Sequence, residues 1–128
     1  TAMLAAHVLA RASSVALIGA LPYVRSDDAA TRASAGRPFV AGVSRARVIL
    51  GLVCAVMLSV VLLGSAVWTV LVAAAAATAL AARYFRARIG GITGDALGAA
   101  NQVVELVVYL TLAASVHHGS FLQTVVRS

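Results

Sequence analysis

Lysine is absent. All ten fixed cationic side chains are arginines, against only four acids in 128 residues. Charged residues make up 11% of the chain, whereas a soluble domain carries about a quarter, so an ordinary water-facing surface is excluded. Cys54 is the sole cysteine and lies in an apolar run, which excludes a disulfide framework and a cysteine-rich metal site. Period-two alternation of polar and apolar residues is also missing, which excludes a membrane β-barrel. No basic region precedes the first apolar run, so no cleavable signal is expected. The chain starts at Thr1 rather than Met, as a fragment or a processed product would.

What is present is apolar: 62% hydrophobic residues and a mean hydropathy of +0.98. In lipid only helices and closed barrels satisfy their backbone. The expected fold is therefore all-α: a polytopic integral membrane helical bundle of about four transmembrane helices, in one domain over residues 1–128. The net charge of +6 implies no nucleic acid, because the arginines gather at the ends of apolar runs, as the positive-inside rule requires.

The first apolar run, residues 2–24, predicts a helix ended by Pro22. His7, Arg11 and Ser14 fall on one face of it. An arginine at that depth belongs against the bundle interior or a polar cavity. Residues 25–47 read as a polar loop carrying Arg25, Arg32, Arg37, Arg45 and Arg47. Gly36, Pro38 and Gly42 argue against a regular helix there. Residues 48–82 are apolar throughout. One helix of that length would be about 52 Å long, against a hydrocarbon core of about 30 Å, so two helices with a turn near Gly64-Ser65 are expected. Charge parity points the same way. A hairpin puts the 25–47 loop and Arg83, Arg86 and Arg88 on one, cytoplasmic, side. The alanine run 73–77 is expected to permit close helix packing. A last membrane helix is expected over residues 96–116, followed by a mixed tail with His117-His118-Gly119 on a turn.

Candidate chemistry concentrates at Gly90-Gly91-Ile92-Thr93-Gly94-Asp95-Ala96-Leu97-Gly98-Ala99. Gly90, Gly91 and Gly94 allow a sharp turn with exposed N–H groups just before a helix N-terminus, an arrangement that binds anions. Arg83 and Arg86 share a helix face, and arginine forks suit phosphate oxygens. Asp95 amid this positive site calls for a divalent cation, Mg²⁺, to reconcile carboxylate and phosphate. No Lys-Ser/Thr follows the glycines, so this is not a Walker loop. On the next helix, Asp95, Gly98, Asn101, Gln102, Glu105 and Tyr109 lie within about 120° of one another. Glu105, two turns or more into a membrane helix, is a functional candidate. Asp95 or Thr93 also suits an N-cap, and Glu105 could pair with Arg11.

The motif Gly90 to Ala99, followed by Gln102 and Glu105, resembles the C-terminal motif of the cobalamin synthase family, also called adenosylcobinamide-GDP ribazoletransferase. The layout upstream resembles it too: a helix carrying Arg11, then Pro22-Tyr23-Val24-Arg25, a loop, and an apolar hairpin ending in Arg83 and Arg86. The resemblance implies the C-terminal half of a membrane transferase of cobalamin (vitamin B12) biosynthesis, placed in the bacterial inner membrane. Such an enzyme transfers the cobinamide-phosphate group of adenosylcobinamide-GDP to α-ribazole or its 5′-phosphate and releases GMP, with Mg²⁺. It implies Asp95 and Glu105 as catalytic residues and Asp95 as the metal ligand. Arg11, Arg25, Arg83, Arg86, Gly91, Thr93, Gly94 and Gln102 would bind substrate. The partners implied are the two substrates and the lipid bilayer; self-association is left open. The competing expectation is a non-catalytic scaffold or transport subunit held together by an Arg11–Glu105 ion pair.

Overall fold

Three apolar runs give four helices, because the middle run breaks in two. The computed structural model describes residues 2–24 and 44–127, with side chains described as far as Ser115. The helices are α1 (Ala2–Ala20), α2 (Arg45–Leu63), α3 (Val67–Ile89) and α4 (Gly94–Arg127), with a 3-10 turn over Gly64–Ala66 between α2 and α3. The arginine loop over residues 25–43, with Arg25, Arg32 and Arg37, lies outside the described residues.

Helix ends follow local chemistry. α1 stops at Ala20, four residues short of the expected limit, because Pro22 removes a backbone donor and disfavours helix in the residue before it. Ser44 caps α2, its Oγ accepting from the Arg47 amide at 3.4 Å, so this helix starts three residues before Val48. At the predicted break, Gly64 takes φ 55°, a left-handed value suited to glycine. α3 continues past Ala82 to Ile89 and carries Arg83, Arg86 and Arg88 on its last turns, where cations complement the helix dipole. α4 overturns the expected end at residue 116. Its backbone stays helical through His117-His118-Gly119 to Arg127, since one glycine costs a helix only about 1 kcal/mol.

Packing fixes the directions. A Cβ on Gly19 would lie 3.0 Å from Val48, and one on Gly51 would lie 3.8 Å from Val15, so α2 runs antiparallel to α1. One buried cluster joins Ala6, Leu9 and Ala10 to Val70, Ala74, Val104 and Val108. A second joins Leu17 and Leu21 to Ile92 and Ala100, with Ala81, Ala82 and Phe85 packed against it. α3 is therefore parallel to α1, and α4 is antiparallel to both. The chain reverses at Gly64, and α1 is the central helix, touching the other three, while α2 and α3 barely meet. Small residues let α1 sit this close. Between helices in lipid, such van der Waals packing takes over from the hydrophobic effect.

The outer surface suits a bilayer. Val53, Met57, Val61, Val72, Leu80 and Leu110 are all exposed, a surface that would aggregate in water. Three apolar stretches are long enough to cross a membrane: Ala2–Ala20, Arg45–Ile89 and Gly94–Ser115. The middle one spans 45 residues and contains both α2 and α3. This is a multi-pass membrane protein. Trp68 and Tyr84, both exposed, stand near opposite ends of α3, where interfacial aromatics belong. Arg45, Arg47, Arg83, Arg86 and Arg88 all fall at the Tyr84 end.

This topology predicts a labelling pattern. Single cysteines at Ser44 and Arg88 should react with a membrane-impermeant reagent from the same, cytoplasmic, side, and one at Ser65 from the other. Opposite-side labelling of positions 44 and 88 would mean that residues 45–89 cross as one helix.

Candidate functional site

The end of α1 and the start of α4 are sewn together by backbone. The Ile92 amide donates to the Pro22 carbonyl at 2.9 Å, and the Val24 amide donates to the Ile92 carbonyl at 2.8 Å. Together they make an isolated parallel bridge between Tyr23 and Ile92. Ile92 is fully buried beneath it. Gly91 is required for this approach, since a Cβ there would run into the Pro22 carbonyl and sit 2.6 Å from Val24 Cγ2. Gly90 ends α3 in the left-handed conformation, φ 72°, the usual helix-stop geometry.

Thr93 is the N-cap of α4. Its Oγ1 accepts from the Ala96 amide at 3.2 Å, and its carbonyl accepts from the Leu97 amide at 3.0 Å. The capping expectation therefore falls on Thr93 rather than on Asp95. The Gly94 and Asp95 amides, also in the first turn, have no helical partner to donate to. Asp95 itself is exposed. By the register of the buried clusters, Arg83 and Arg86 come level with this first turn and with Ile92. Both are exposed, and neither forms an ion pair among the described residues. Arg88 leans over the Tyr84 ring, 6.0 Å from its centroid. Tyr84 in turn meets Phe85 edge-on at 5.8 Å. The result is a rim of exposed arginines at the level of one carboxylate and two amides without helical partners.

The other predicted residues lie deeper. Glu105 is ten residues beyond Asp95, about 15 Å along the axis, so a single reacting atom cannot touch both carboxylates. The expected Arg11–Glu105 ion pair is not formed. Instead His7 Nδ1 lies 4.0 Å from Glu105 Oε1, and the Tyr109 hydroxyl donates to the same oxygen at 3.3 Å. The reason is register. With α1 and α4 antiparallel and His7 opposite Glu105, Arg11 is one turn along, at the level of Asn101 and Gln102, and Ser14 is near the level of Gly98. The two polar faces thus make one seam running from Asp95 to Tyr109. Asn101 is a residue the sequence-based site set lacks. It is buried, and its Oδ1 has no hydrogen-bond partner among the described residues. Its place on the polar face of α4 was legible, but its burial depended on the neighbouring helices. Arg25 lies outside the described residues.

Among the described residues no group of three His, Cys, Asp or Glu side chains could hold a metal ion. The donor set therefore does not fit a metal cage built by these residues alone. A single carboxylate beside exposed arginines and free amides would suit Mg²⁺ only if a bound phosphate ligand supplied most of its oxygens, since such an ion needs one or two protein carboxylates.

Comparison with known proteins matches residues 1–113 to cobalamin-5-phosphate synthase. The chain belongs to the cobalamin-5-phosphate synthase family. Curated relatives are named adenosylcobinamide-GDP ribazoletransferase. The one from Leptothrix cholodnii is 40% identical over 119 residues, covering 90% of this chain and 44% of the relative. Those from Shewanella amazonensis and Shewanella oneidensis are 36% and 33% identical, covering 83% and 88% of this chain and 40% and 41% of the relatives. The chain thus spans less than half the length of these relatives. No solved structure matches it. Family membership weighs against the scaffold expectation, which also loses its Arg11–Glu105 pair.

The close approach at Gly91 makes a stability prediction. Gly91→Ala should lower the unfolding stability by about 2 kcal/mol or more, through overpacking against a backbone carbonyl. Gly94→Ala, where a Cβ meets nothing within 4 Å, should change it little. Melting curves of the two variants in detergent test the contrast.

Proposed function

We propose that this chain forms the phosphate-handling part of an adenosylcobinamide-GDP ribazoletransferase in the bacterial cytoplasmic membrane, crossing it four times. The observation that carries the reading is the clasped Gly90-to-Asp95 turn, with Arg83 and Arg86 at its level, in a chain of this family. In the proposed reaction a hydroxyl oxygen of α-ribazole, or of its 5′-phosphate, attacks the phosphorus attached to cobinamide. The P–O bond to the GMP portion breaks, GMP leaves with the bond electrons, and the hydroxyl proton is lost to a base or solvent.

The chain's own groups suit that chemistry. Arg83 and Arg86 neutralise the pyrophosphate and the developing charge on the departing GMP, as preorganised cations do in phosphoryl transfer. The Gly94 and Asp95 amides, at the positive end of α4, add donors for a phosphate oxygen. Gly91 and Thr93 hold those donors in place. Asp95 orients the attacking hydroxyl and would give one carboxylate oxygen to hold Mg²⁺. When bound, Mg²⁺ would offset the charge of the phosphates. Gln102, Arg11 and Glu105 line the deeper seam, and Arg25 follows directly on the clasp strand. The remaining donors of the active site are assigned to parts of the family chain that these residues do not match.

The test is made on the full gene product. Asp95→Asn should abolish GMP release while leaving the melting temperature and membrane insertion unchanged. Arg83→Gln with Arg86→Gln should lower kcat/KM by a factor of about 100 or more, the usual loss for a transition-state charge partner. Wild-type turnover in Asp95→Asn would remove that residue from the mechanism.

A further inference from the structure

α2 and α3 leave α1 on diverging paths, and a cavity of about 370 Å³ opens between the three helices. Its wall includes Ala12, Ala16, Leu52, Ala75, Ala79 and Ala82. Its two hydroxyls are already committed to their own helices: Ser13 donates to the Ala10 carbonyl at 2.6 Å, and Thr78 to the Ala74 carbonyl at 2.7 Å. The slot is therefore almost wholly apolar, with both hydroxyl donors already used.

Length and polarity select the occupant. The lining residues of α1 run from Leu9 to Ala20, about 16 Å along the helix. An apolar slot of that length suits an extended hydrocarbon chain rather than water or a polar ligand.

Charge marks one end of it. Arg45 lies seven residues before Leu52, two turns along the same face of α2. Arg86 lies one turn beyond Ala82 on α3. Both are exposed, and neither forms an ion pair among the described residues. The opposite end of the slot, toward the Gly64–Ala66 turn, has no charged residue.

We propose that this slot is a binding site for an anionic phospholipid of the inner leaflet, its acyl chain between α1, α2 and α3 and its phosphate at Arg45 and Arg86. The lipid fills the gap that α2 and α3 leave between them and fixes the angle of the hairpin against α1. The slot and Arg45 stand apart from the transferase reading, whereas Arg86 is shared with it, so the test is made at Arg45, Ala75 and Ala79.

The test measures the melting temperature of the full gene product in detergent as lipid is titrated. Phosphatidylglycerol should raise it more than phosphatidylcholine of the same acyl chains, and glycerol 3-phosphate should leave it unchanged. Arg45→Gln should weaken the phosphatidylglycerol response about fivefold, the contribution of one arginine near an anionic headgroup. Ala75→Phe should remove the response by filling the slot, and Ala79→Phe serves the same purpose if the first variant misfolds. Equal shifts with the two lipids would overturn the proposal, as would a wild-type response in the Phe variants. A photoreactive side chain at position 75 that captures a peptide instead of lipid would also overturn it, by showing a protein occupant.

Discussion

Two backbone hydrogen bonds, between Pro22 or Val24 and Ile92, hold the membrane bundle to its charged end. They join segments that are 70 residues apart in sequence and give the loop backbone partners where neither helix supplies any. An unpaired buried amide would cost about 1–3 kcal/mol, so burying Ile92 depends on this pairing. The clasp also sets the register of α1 against α4. That register puts His7 opposite Glu105 and lines up the two polar faces. Gly91 is the residue through which the sequence permits all of this.

The bundle end is electrostatically one-sided. Among the described residues, Arg45, Arg47, Arg83, Arg86 and Arg88 share this end of the bundle with a single carboxylate, Asp95. Such an end favours polyanions and orients the protein in the bilayer by the same charges. One rim arginine, Arg88, rests on an aromatic ring, while Arg83 and Arg86 remain free for a ligand. The deeper seam is different in kind. Its carboxylate is shared by a histidine and a tyrosine, and Asn101 is buried with a carbonyl oxygen unpaired. The rim carries charge, and the seam sets polar side chains along an exposed edge between α1 and α4, with only Asn101 buried.

Much of this was legible in the sequence, because membrane constraints are strict. Length against bilayer thickness placed the break at Gly64, and arginine parity gave the direction of the chain after it. The glycine turn and its acid marked the candidate site. What failed depended on neighbours. The Arg11–Glu105 pair was geometrically open from helix periodicity alone, but periodicity says nothing of the register between helices. The clasp sets that register, one turn away from such a pairing. The alanines at 73–77 were expected to close a helix interface. Ala74 and Ala77 pack into the core, while Ala74 and Ala75 also line a cavity, because α2 diverges from α3. Burial of Asn101 was invisible for the same reason. The helical tail past residue 116 was missed because its mixed composition breaks the apolar run by which the helix was bounded.

The central claim is that the clasped turn is where phosphate binds. Hydrogen exchange of the full gene product with and without GMP tests it directly. The account predicts slower exchange at the Gly94 and Asp95 amides, and loss of that protection in the Arg83→Gln, Arg86→Gln double variant. Protection confined to other segments, or unchanged by the double variant, would contradict it.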